Sequence, residues 1–318
     1  MSKIIYEPKC KAREFSPLAA NLYSGCTHGC VYCYIPEPPW IDRKTFHEAV
    51  QPKKDALKLF EAKAKEIAAN NDYRDREILL SLTCDPYPII EAEQNITRQA
   101  IVILKKNKLR FSVLTKAGKR AAKDFDLLKG YEKCSFGTTL IFTNQKDADI
   151  WEPHVASLKE RNDTIKQAKK MGIKTWVSLE PVIDPEQALK LIEQLYSYVD
   201  HWKVGKINYN KEIEERVDWL KFREDVRNLL RIKAPDKKKP EKYYYLKRSL
   251  TAKGKIEVIH EKDGQMSYGH LDKRHLKNCR LNGMKKYDLP YPALLFVRKN
   301  NRIMTANLFS SQLSFCYV

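Results

Sequence analysis

Short, nearly continuous apolar segments recur along the first 210 residues, roughly 30 residues apart, with helical patterns between them. Their β-branched character and lack of alternation are typical of strands buried on both faces. We expect an earlier strand that leads into Asn21 to Gly25. Strands that alternate with helices at this spacing predict an α/β fold with a parallel sheet. The predicted strands are Glu77 to Thr83, Arg110 to Thr115, Ser135 to Phe142, Lys174 to Glu180 and His201 to Ile207.

Three intervening helices have clear ends in the sequence. One runs from Pro185 to Tyr196, because Asp184 can cap its first turn and proline suits its first position. A second runs from about Ser157 to Met171 and stops at a glycine, which tolerates the backbone conformation past a helix end. A third opens at Thr97. These ends support the α/β prediction.

The C-terminal part of the chain has a different pattern. Residues Lys233 to Lys242 are rich in lysine and proline and predict a linker or loop. Residues Tyr243 to Leu250 suit one more strand or a docking segment, whereas Lys255 to Val318 shows no clear periodicity. We therefore predict a core domain over residues 1–250 and a basic C-terminal extension of unknown fold over residues 251–318.

Positive charge is concentrated near the C-terminus. The chain has a formal net charge of +19, and residues 231–318 hold 20 Lys and Arg against 7 Asp and Glu. This asymmetry predicts either a nucleic-acid partner or a solvated basic surface. Tyr243, Tyr244 and Tyr245 lie beside Lys247 and Arg248, a weak sign of single-strand binding.

Composition also excludes some protein classes. No apolar run approaches the ~20 residues that a membrane span needs, and Met1 to Cys10 contains no secretory signal pattern, so we expect a cytoplasmic protein without a membrane partner. The eight cysteines are too sparse for a secreted disulfide scaffold. Three cysteines within eight residues therefore indicate a metal site or redox chemistry.

Those three cysteines are Cys26, Cys30 and Cys33, within the run Asn21 to Pro36, NLYSGCTHGCVYCYIP. Thiolates bind iron and sulfide well, and this spacing lets one short loop reach three corners of a [4Fe–4S] cluster. Three ligands leave one iron open to a substrate or cosubstrate. An alternative is a structural zinc site completed by His28 or Cys10, although the second cysteine doublet usual for such sites is lacking.

The cysteine loop resembles the signature of the radical S-adenosylmethionine (SAM) superfamily, including the aromatic Tyr32 before the last cysteine. Other short runs are similar to the spore photoproduct lyase-like group, often labelled DNA repair photolyases. The resemblance implies a partial (β/α)6 TIM-like barrel with the cofactors at the carboxyl ends of the strands. These runs are Cys33-Tyr34, Thr83 to Tyr87, Thr97-Arg98, Leu114 to Lys116, Glu152-Pro153 with Arg161, and Leu179 to Pro181.

The resemblance implies a reaction. A [4Fe–4S] cluster on the three cysteines would bind S-adenosylmethionine, take an electron from a partner such as flavodoxin or ferredoxin, and generate a 5′-deoxyadenosyl radical. We expect an enzyme that acts on nucleic acid in a lyase-like DNA repair role. The alternatives are a radical enzyme that modifies RNA or protein, and a non-catalytic metal-containing protein that binds nucleic acid.

The resemblance also implies cofactor-binding residues. Asp85 corresponds to a contact to the methionyl amine, and Lys116 to a contact to the methionyl carboxylate. Thr139 corresponds to a hydroxyl near the ribose, with Thr138 as an equal alternative. Glu180 ends the next strand and is expected at the same mouth, and Tyr32 is expected to contact the cofactors.

The catalytic candidates are Tyr34 and Cys84. In the resembling group a cysteine returns a hydrogen atom to the product, followed by a tyrosine relay beside the last cluster cysteine. Tyr32 and Tyr34 match that pair, but the aligned donor position holds Leu82. Cys84 lies two residues further, on the same face of an extended chain. The alternative for Cys84 is a small buried residue of the sheet.

Overall fold

The structure is a computed structural model that describes residues 4–232, 243–250, 257–258, 295–299 and 302–306. Its strands are β1 (Ile5–Tyr6), β2 (Leu18–Ala20), β3 (Tyr23–Ser24), β4 (Gln51–Pro52), β5 (Ile78–Leu80), β6 (Phe111–Thr115), β7 (Cys134–Thr139), β8 (Thr175–Val182), β9 (His201–Lys206), β10 (Tyr243–Leu246), β11 (Glu257–Val258), β12 (Leu295–Lys299) and β13 (Arg302–Ala306).

The helices alternate with these strands. They are α1 (Arg43–Glu48), α2 (Ala56–Ala69), α3 (Glu91–Gln94), α4 (Ile96–Lys106), α5 (Lys119–Ala122), α6 (Phe125–Leu128), α7 (Gln145–Trp151), α8 (Leu158–Lys170), α9 (Pro185–Leu195), α10 (Lys211–Arg216) and α11 (Trp219–Ile232). Among the described residues, none of these helices is both long and apolar enough to span a bilayer.

A nine-stranded sheet confirms the predicted α/β fold. Its strand order is β1-β2-β5-β6-β7-β8-β9-β10-β11. All pairings from β2 to β10 are parallel, whereas β1 and β11 pair antiparallel at the two edges. Strands β3 and β4 form a separate ribbon, as do β12 and β13. The carboxyl ends of the central strands therefore meet at one edge, where the sequence places its candidate residues.

Buried apolar side chains form two clusters of very different size. The large cluster includes Leu80, Val113 and Val177 and packs against the helices. The small one contains Leu79, Leu114 and Trp176, the neighbours of those residues along the same three strands. Since successive strand residues point to opposite faces, the small cluster marks the inner face of the partial barrel.

The inner face is closely packed around Trp176. A Cβ atom added to Gly137 on the adjacent strand would lie 2.2 Å from that indole ring, so this position excludes any side chain. Phe15 and Leu82 complete the inner cluster from outside the strands. The lower part of the barrel is therefore filled by protein.

An N-terminal segment crosses the open side of this sheet. The short 3-10 turn Cys10–Glu14 leads to Phe15, whose carbonyl oxygen accepts a hydrogen bond from Lys203 on β9. The Glu14 carboxylate accepts hydrogen bonds from the Tyr245 hydroxyl and the Arg248 backbone N–H, both at 3.0 Å. Residues near the start of the chain thus join the last strands of the sheet.

Several local predictions differ from the structure. Helix α4 begins after Asn95 rather than at a Thr97 cap, because the Thr97 hydroxyl donates a hydrogen bond to the Pro86 carbonyl. Tyr244 and Tyr245 are buried, so they do not form an exposed stacking surface. The predicted linker Lys233 to Lys242 lies outside the described residues. So does most of the extension over residues 251–318.

Candidate active site

The candidate residues converge on the carboxyl edge of the sheet. The cysteine loop follows β2, Asp85 lies beyond β5, Lys116 follows β6, and Thr139 ends β7. Glu180 lies near the end of β8. Parallel strands bring these ends together, and open α/β sheets bind ligands at this edge.

Two glycines give the cysteine loop its shape. Gly25 and Gly29 have φ values of +81° and +61°, which non-glycine residues rarely adopt. A Cβ atom at Gly25 would lie 2.5 Å from the Phe46 carbonyl oxygen, and one at Gly29 would lie 2.9 Å from the His154 ring. The loop therefore packs closely against segments on both of its sides.

Hydrogen bonds hold the loop to these segments. They join Cys26 N to Phe46 O at 2.9 Å, His47 Nδ1 to Cys26 O at 2.7 Å, Val31 N to Trp151 O at 2.9 Å, and His154 N to His28 O at 3.2 Å. The backbone that carries the thiols is thus fixed before any cofactor binds, which reduces the entropy lost on binding.

The three loop thiols are weakly acidic in the metal-free protein. Burial raises the pKa of Cys26 to about 12 and also raises the pKa values of Cys30 and Cys33. Backbone N–H groups of His28 and Asp85 contact the Cys26 sulfur and favour its thiolate form. Metal ions replace thiol protons, so the loop offers iron three soft ligands with hydrogen-bond donors already in place.

The same residues fit a single-ion site poorly. Across the part of the chain that the structure describes, no three His, Cys, Asp or Glu side chains lie close enough together to hold one metal ion. His28, a predicted fourth zinc ligand, instead places its Nδ1 3.5 Å from the Asp85 carboxylate. Cysteine thiolates are the usual ligands of iron–sulfur clusters, in which each cysteine binds a different iron.

Asp85 joins two strand ends to the cysteine loop. Its Oδ1 accepts hydrogen bonds from Tyr87 N at 2.8 Å and the Thr115 hydroxyl at 2.7 Å. Its Oδ2 accepts the Lys116 backbone N–H at 2.8 Å and faces His28. Both oxygens already contact protein donors, so the carboxylate has a positioning role as well as its predicted role at the methionyl amine.

Lys116 points toward the cysteine loop. Its Nζ lies 3.5 Å from the Cys30 sulfur, 3.6 Å from Glu152 Oε1 and 5.0 Å from the centre of the Tyr32 ring. Burial alone would lower the pKa of Lys116, but the acidic groups around it, Cys30, Glu152 and Cys26, outweigh burial and raise the pKa above its ordinary value. A permanent cation therefore lies beside the predicted cofactor site.

Glu152 is a central residue of the site, although the sequence analysis assigns it no role. It is 1% exposed, accepts hydrogen bonds from the Tyr32 hydroxyl and from Arg161 at 2.8 Å, and faces Lys116. Burial alone would raise the pKa of Glu152, but Arg161 and Lys116 lower it by more, so it remains ionised. In the sequence, Glu152 is marked only by its place, with Pro153 and Arg161, among the short runs that carry the family resemblance.

The structure distinguishes the two threonines that end β7. The Thr138 hydroxyl donates a hydrogen bond to the Thr115 carbonyl at 2.9 Å, within the sheet. Thr139 shares its face with Gly137, which contacts the inner Trp176 ring. Thr139 is therefore the hydroxyl directed to the inner face.

The catalytic candidates lie in different surroundings. Tyr34 is 44% exposed beside Cys33 at the mouth of the sheet. Leu82 packs with the inner cluster, but Cys84 packs in the outer core with its sulfur 3.7 Å from Asn21 Oδ1. Burial raises the pKa of Cys84 to about 11. The structure thus places Leu82, and not Cys84, on the inner face.

The chain has recognisable similarity to known proteins. The sequence profile of the Radical SAM superfamily matches residues 20–199, more than half of the chain. An uncharacterised protein, ORF301 of Acidianus two-tailed virus, is 23% identical in an alignment 198 residues long, and the match covers 55% of this chain and 59% of the viral protein. The chain therefore spans less than two thirds of that relative.

Solved structures share the fold at low sequence identity. A spore photoproduct lyase variant with bound AdoMet and dinucleoside spore photoproduct superposes with a TM-score of 0.56 and 15% identity over 76% of this chain and 78% of its own. Streptococcus suis SuiB bound to the precursor peptide SuiA gives a TM-score of 0.52 and 14% identity over 67% and 45% of the two chains. Both support a TIM-like barrel.

Proposed function

This chain belongs to the Radical SAM superfamily, and from that membership we propose that it is a lyase-like enzyme acting on nucleic acid in DNA repair. As a member it is a radical SAM enzyme that uses a [4Fe–4S] cluster and S-adenosylmethionine. When bound, these cofactors supply one-electron chemistry that leads to hydrogen-atom abstraction from a substrate. The observation that carries the proposal is the loop of three free cysteines at the carboxyl edge of the sheet, with Lys116 Nζ 3.5 Å from the buried Cys30 sulfur.

We propose that Cys26, Cys30 and Cys33 hold the cluster. Their thiols are free, and the loop is anchored on both sides by hydrogen bonds. Cys30 is 5% exposed. Burial of this kind excludes water from the metal and limits oxidation of the ligands.

The neighbouring side chains are proposed to hold S-adenosylmethionine. The ammonium of Lys116 suits the methionyl carboxylate, and the Thr139 hydroxyl suits the ribose. Asp85 keeps the Lys116 backbone in place and completes the polar surface for the methionyl amine. Tyr32 supports the site through its hydrogen bond to Glu152.

Two observations support a nucleic-acid substrate. The chain shares its fold with a spore photoproduct lyase whose structure contains a dinucleoside photoproduct, and its C-terminal 88 residues are strongly basic. A reducing protein such as flavodoxin or ferredoxin is the proposed electron donor. The cysteines within the described residues form no disulfide bonds, which suits the proposed reducing, cytoplasmic compartment.

We propose that Tyr34, rather than Cys84, carries a hydrogen atom at the mouth. Tyr34 is exposed next to a cluster cysteine, whereas Cys84 is buried in the outer core and lies beyond reach of a bound substrate. Cys84 is then a packing residue. Replacing Tyr34 by Phe should therefore reduce the yield of repaired DNA more than replacing Cys84 by Ala does.

The proposal is tested by 5′-deoxyadenosine release. Anaerobically reconstituted, dithionite-reduced protein is given S-adenosylmethionine with and without ultraviolet-irradiated DNA, and Cys30→Ala protein is the control. The wild type is expected to release 5′-deoxyadenosine, and more of it when damaged DNA is present, whereas the Cys30→Ala protein is expected to release none. No product from protein with a verified reducible cluster, with or without DNA, would contradict the proposal, and stimulation by RNA or peptides alone would redirect it to another substrate.

A further inference from the structure

Tyr209 and Lys11 form an exposed pair at the carboxyl edge of the sheet. Tyr209 lies in the short connection between β9 and α10, and Lys11 lies in the 3-10 turn Cys10–Glu14. The Lys11 ammonium lies 4.8 Å from the centre of the Tyr209 ring. We propose that this pair is a nucleotide-binding surface, on which the ring stacks against an unpaired base and the ammonium binds a phosphate. The inference rests on the proposed function and states how its substrate is held.

The Tyr209 ring is largely uncovered. Tyr209 is 76% exposed, whereas Tyr244 and Tyr245 on β10 are buried. Lys11 lies over one face of the ring, so the other face is open to solvent. A side chain that buries so little apolar surface contributes little to the stability of the fold. Its open face is available to a flat ligand.

The backbone holds Tyr209 in an unfavourable conformation. Its φ is +65°, in the left-handed region that bulky residues seldom occupy. Asparagine tolerates this region better, yet the two asparagines of this connection, Asn208 and Asn210, lie on either side of the strained position. Residues held in such conformations cluster at active sites and ligand clamps. Strain beneath an exposed ring therefore indicates a role in binding rather than in folding.

Neutral groups hold the Lys11 ammonium in place. Its Nζ donates a hydrogen bond to Asn208 Oδ1 at 2.8 Å, and within the described residues no carboxylate forms an ion pair with it. Nearby Lys206, at the end of β9, is instead paired with Glu214 at 2.8 Å. An ammonium without a counter-charge suits a phosphate group. Lys11 is therefore the cation that this edge offers to a ligand.

The pair joins two distant segments of the chain. Lys11 and Asn208 are 197 residues apart, and Asn208 Nδ2 donates a hydrogen bond to the Lys206 carbonyl at 3.4 Å. The asparagine thus fixes the lysine beside the ring from the end of a core strand. Because both groups are positioned before a ligand arrives, less conformational entropy is lost on binding.

Tyr209 lies near the proposed catalytic tyrosine. Burial of its hydroxyl raises the pKa of Tyr34, and surrounding acidic groups add to the shift, namely Glu180, Cys33, Tyr6 and Tyr209. Tyr34 and Tyr209 are therefore within electrostatic reach of each other at the same opening of the barrel. A base stacked on Tyr209 would keep its strand close to the cluster cysteines.

An aromatic ring beside a cation matches the repeating chemistry of a single strand. Each unpaired nucleotide offers a flat base and a phosphate, and proteins bind such strands by stacking and by charge. Stacking tolerates every base, because every base has an aromatic face. An acidic peptide would also attract Lys11, but its carboxylate side chains offer no flat face to Tyr209. The pair therefore suits a nucleotide better than an acidic peptide.

The test measures binding of two fluorescent probes to full-length protein with its cluster reconstituted. The probes are single-stranded oligo-dT, eight nucleotides long, and the same backbone without bases. Tyr209→Asn should reduce the affinity for oligo-dT about 5- to 100-fold and leave that for the abasic strand unchanged, because only a stacked base is lost. Tyr209→Trp should keep the wild-type affinities. Leu220→Asn, an equivalent loss of an exposed apolar side chain on α11, is the control.

Lys11→Gln tests the phosphate contact. It should weaken the binding of both probes and reduce the slope of log affinity against log salt by about 0.7, the value for one phosphate of a single strand. Lys190→Gln, an equal charge change on an exposed side chain of α9, should leave the slope unchanged. Urea unfolding checks the fold, and Tyr209→Asn should not lower the free energy of unfolding, because asparagine tolerates the left-handed region better.

Three outcomes would overturn the proposal. They are an unchanged affinity of Tyr209→Asn for oligo-dT, an equal loss of affinity for the abasic strand, and an equal loss of affinity for a fluorescent octaglutamate peptide. The last would assign the surface to acidic peptides. Failure of the proposed function is seen separately, as absence of 5′-deoxyadenosine from the wild type.

Discussion

Glu152 shows how one buried carboxylate can organise a cofactor loop. It binds Tyr32, which precedes the last cluster cysteine, and balances the charges of Arg161 and Lys116. Tyr32 and Glu152 are 120 residues apart in the chain, so no local sequence pattern reveals their contact. The cysteines could be predicted because their spacing is itself the signal.

Replacing Glu152 by Gln should destabilise the protein and weaken cluster binding. The amide leaves Arg161 and Lys116 without their buried counter-charge, a loss that typically costs about 3–5 kcal/mol. Urea unfolding of the metal-free protein and iron content after reconstitution measure the two effects. Glu193→Gln on an exposed part of α9 is the control, and equal behaviour of the two variants would contradict this role for Glu152.

Lys203 should make the stability of the protein depend on pH. Burial lowers its pKa to about 7 in the folded chain, while the ordinary value is 10.5. Between these values the unfolded chain binds more protons, so the free energy of unfolding rises with pH. The rise from pH 7 to pH 9 should be about 2 kcal/mol.

The measurement compares urea unfolding at pH 7 and pH 9 for the wild type, Lys203→Met and Lys190→Met. The Lys203 variant should lose this part of the pH dependence, because it has no group to titrate. Lys190 is exposed on α9, so its variant should follow the wild type. Identical pH profiles for all three proteins would refute a lowered pKa.

Among the elements, the buried strands and capped helices were the most predictable. The core strands begin and end within a few residues of their predicted positions, because their apolar runs are covered on both faces. Asp184 caps α9 as predicted, by accepting hydrogen bonds from Glu186 N and Gln187 N. The β3–β4 ribbon has only two residues per strand, which is too short for a periodicity.

At the scale of an element, the shape of the cysteine loop depends on its glycines. Gly29→Ala should reduce iron content strongly, because the new methyl group would strain a backbone at φ +61° and meet the His154 ring. The cost expected is about 1–3 kcal/mol. Gly130→Ala is the matched control, since Gly130 also has a positive φ but has no atom within 4 Å of the added Cβ. Equal iron loss in both variants would mean that the close packing of the loop is unimportant.

At the scale of the whole molecule, we expect catalysis and nucleic-acid affinity to depend on different parts of the chain. A chain that ends at residue 258 retains every strand of the large sheet but lacks most of the basic extension. It should still release 5′-deoxyadenosine. Its DNA affinity should fall less steeply with added salt than that of the full chain, since fewer phosphate-bound counterions are released.

Titration of DNA binding between low and moderate salt checks this prediction. The full chain is the reference, and cleavage of S-adenosylmethionine reports that the shortened chain is folded. If the DNA affinity of the shortened chain fell with added salt as steeply as that of the full chain, the DNA contacts would lie on the barrel itself. The sequence predicted the charge of the extension but not its fold, because its apolar residues follow no clear period.

The contact of Glu14 with β10 has a consequence during synthesis of the protein. Glu14 and Tyr245 are separated by 231 residues, so the first segment leaves the ribosome long before its partner strand exists. At roughly 5–20 residues per second, that interval is on the order of tens of seconds. Until then, Phe15 and the inner surface that it covers are exposed to solvent and to chaperones. The barrel can therefore close only after β10 has been synthesised and has left the ribosome.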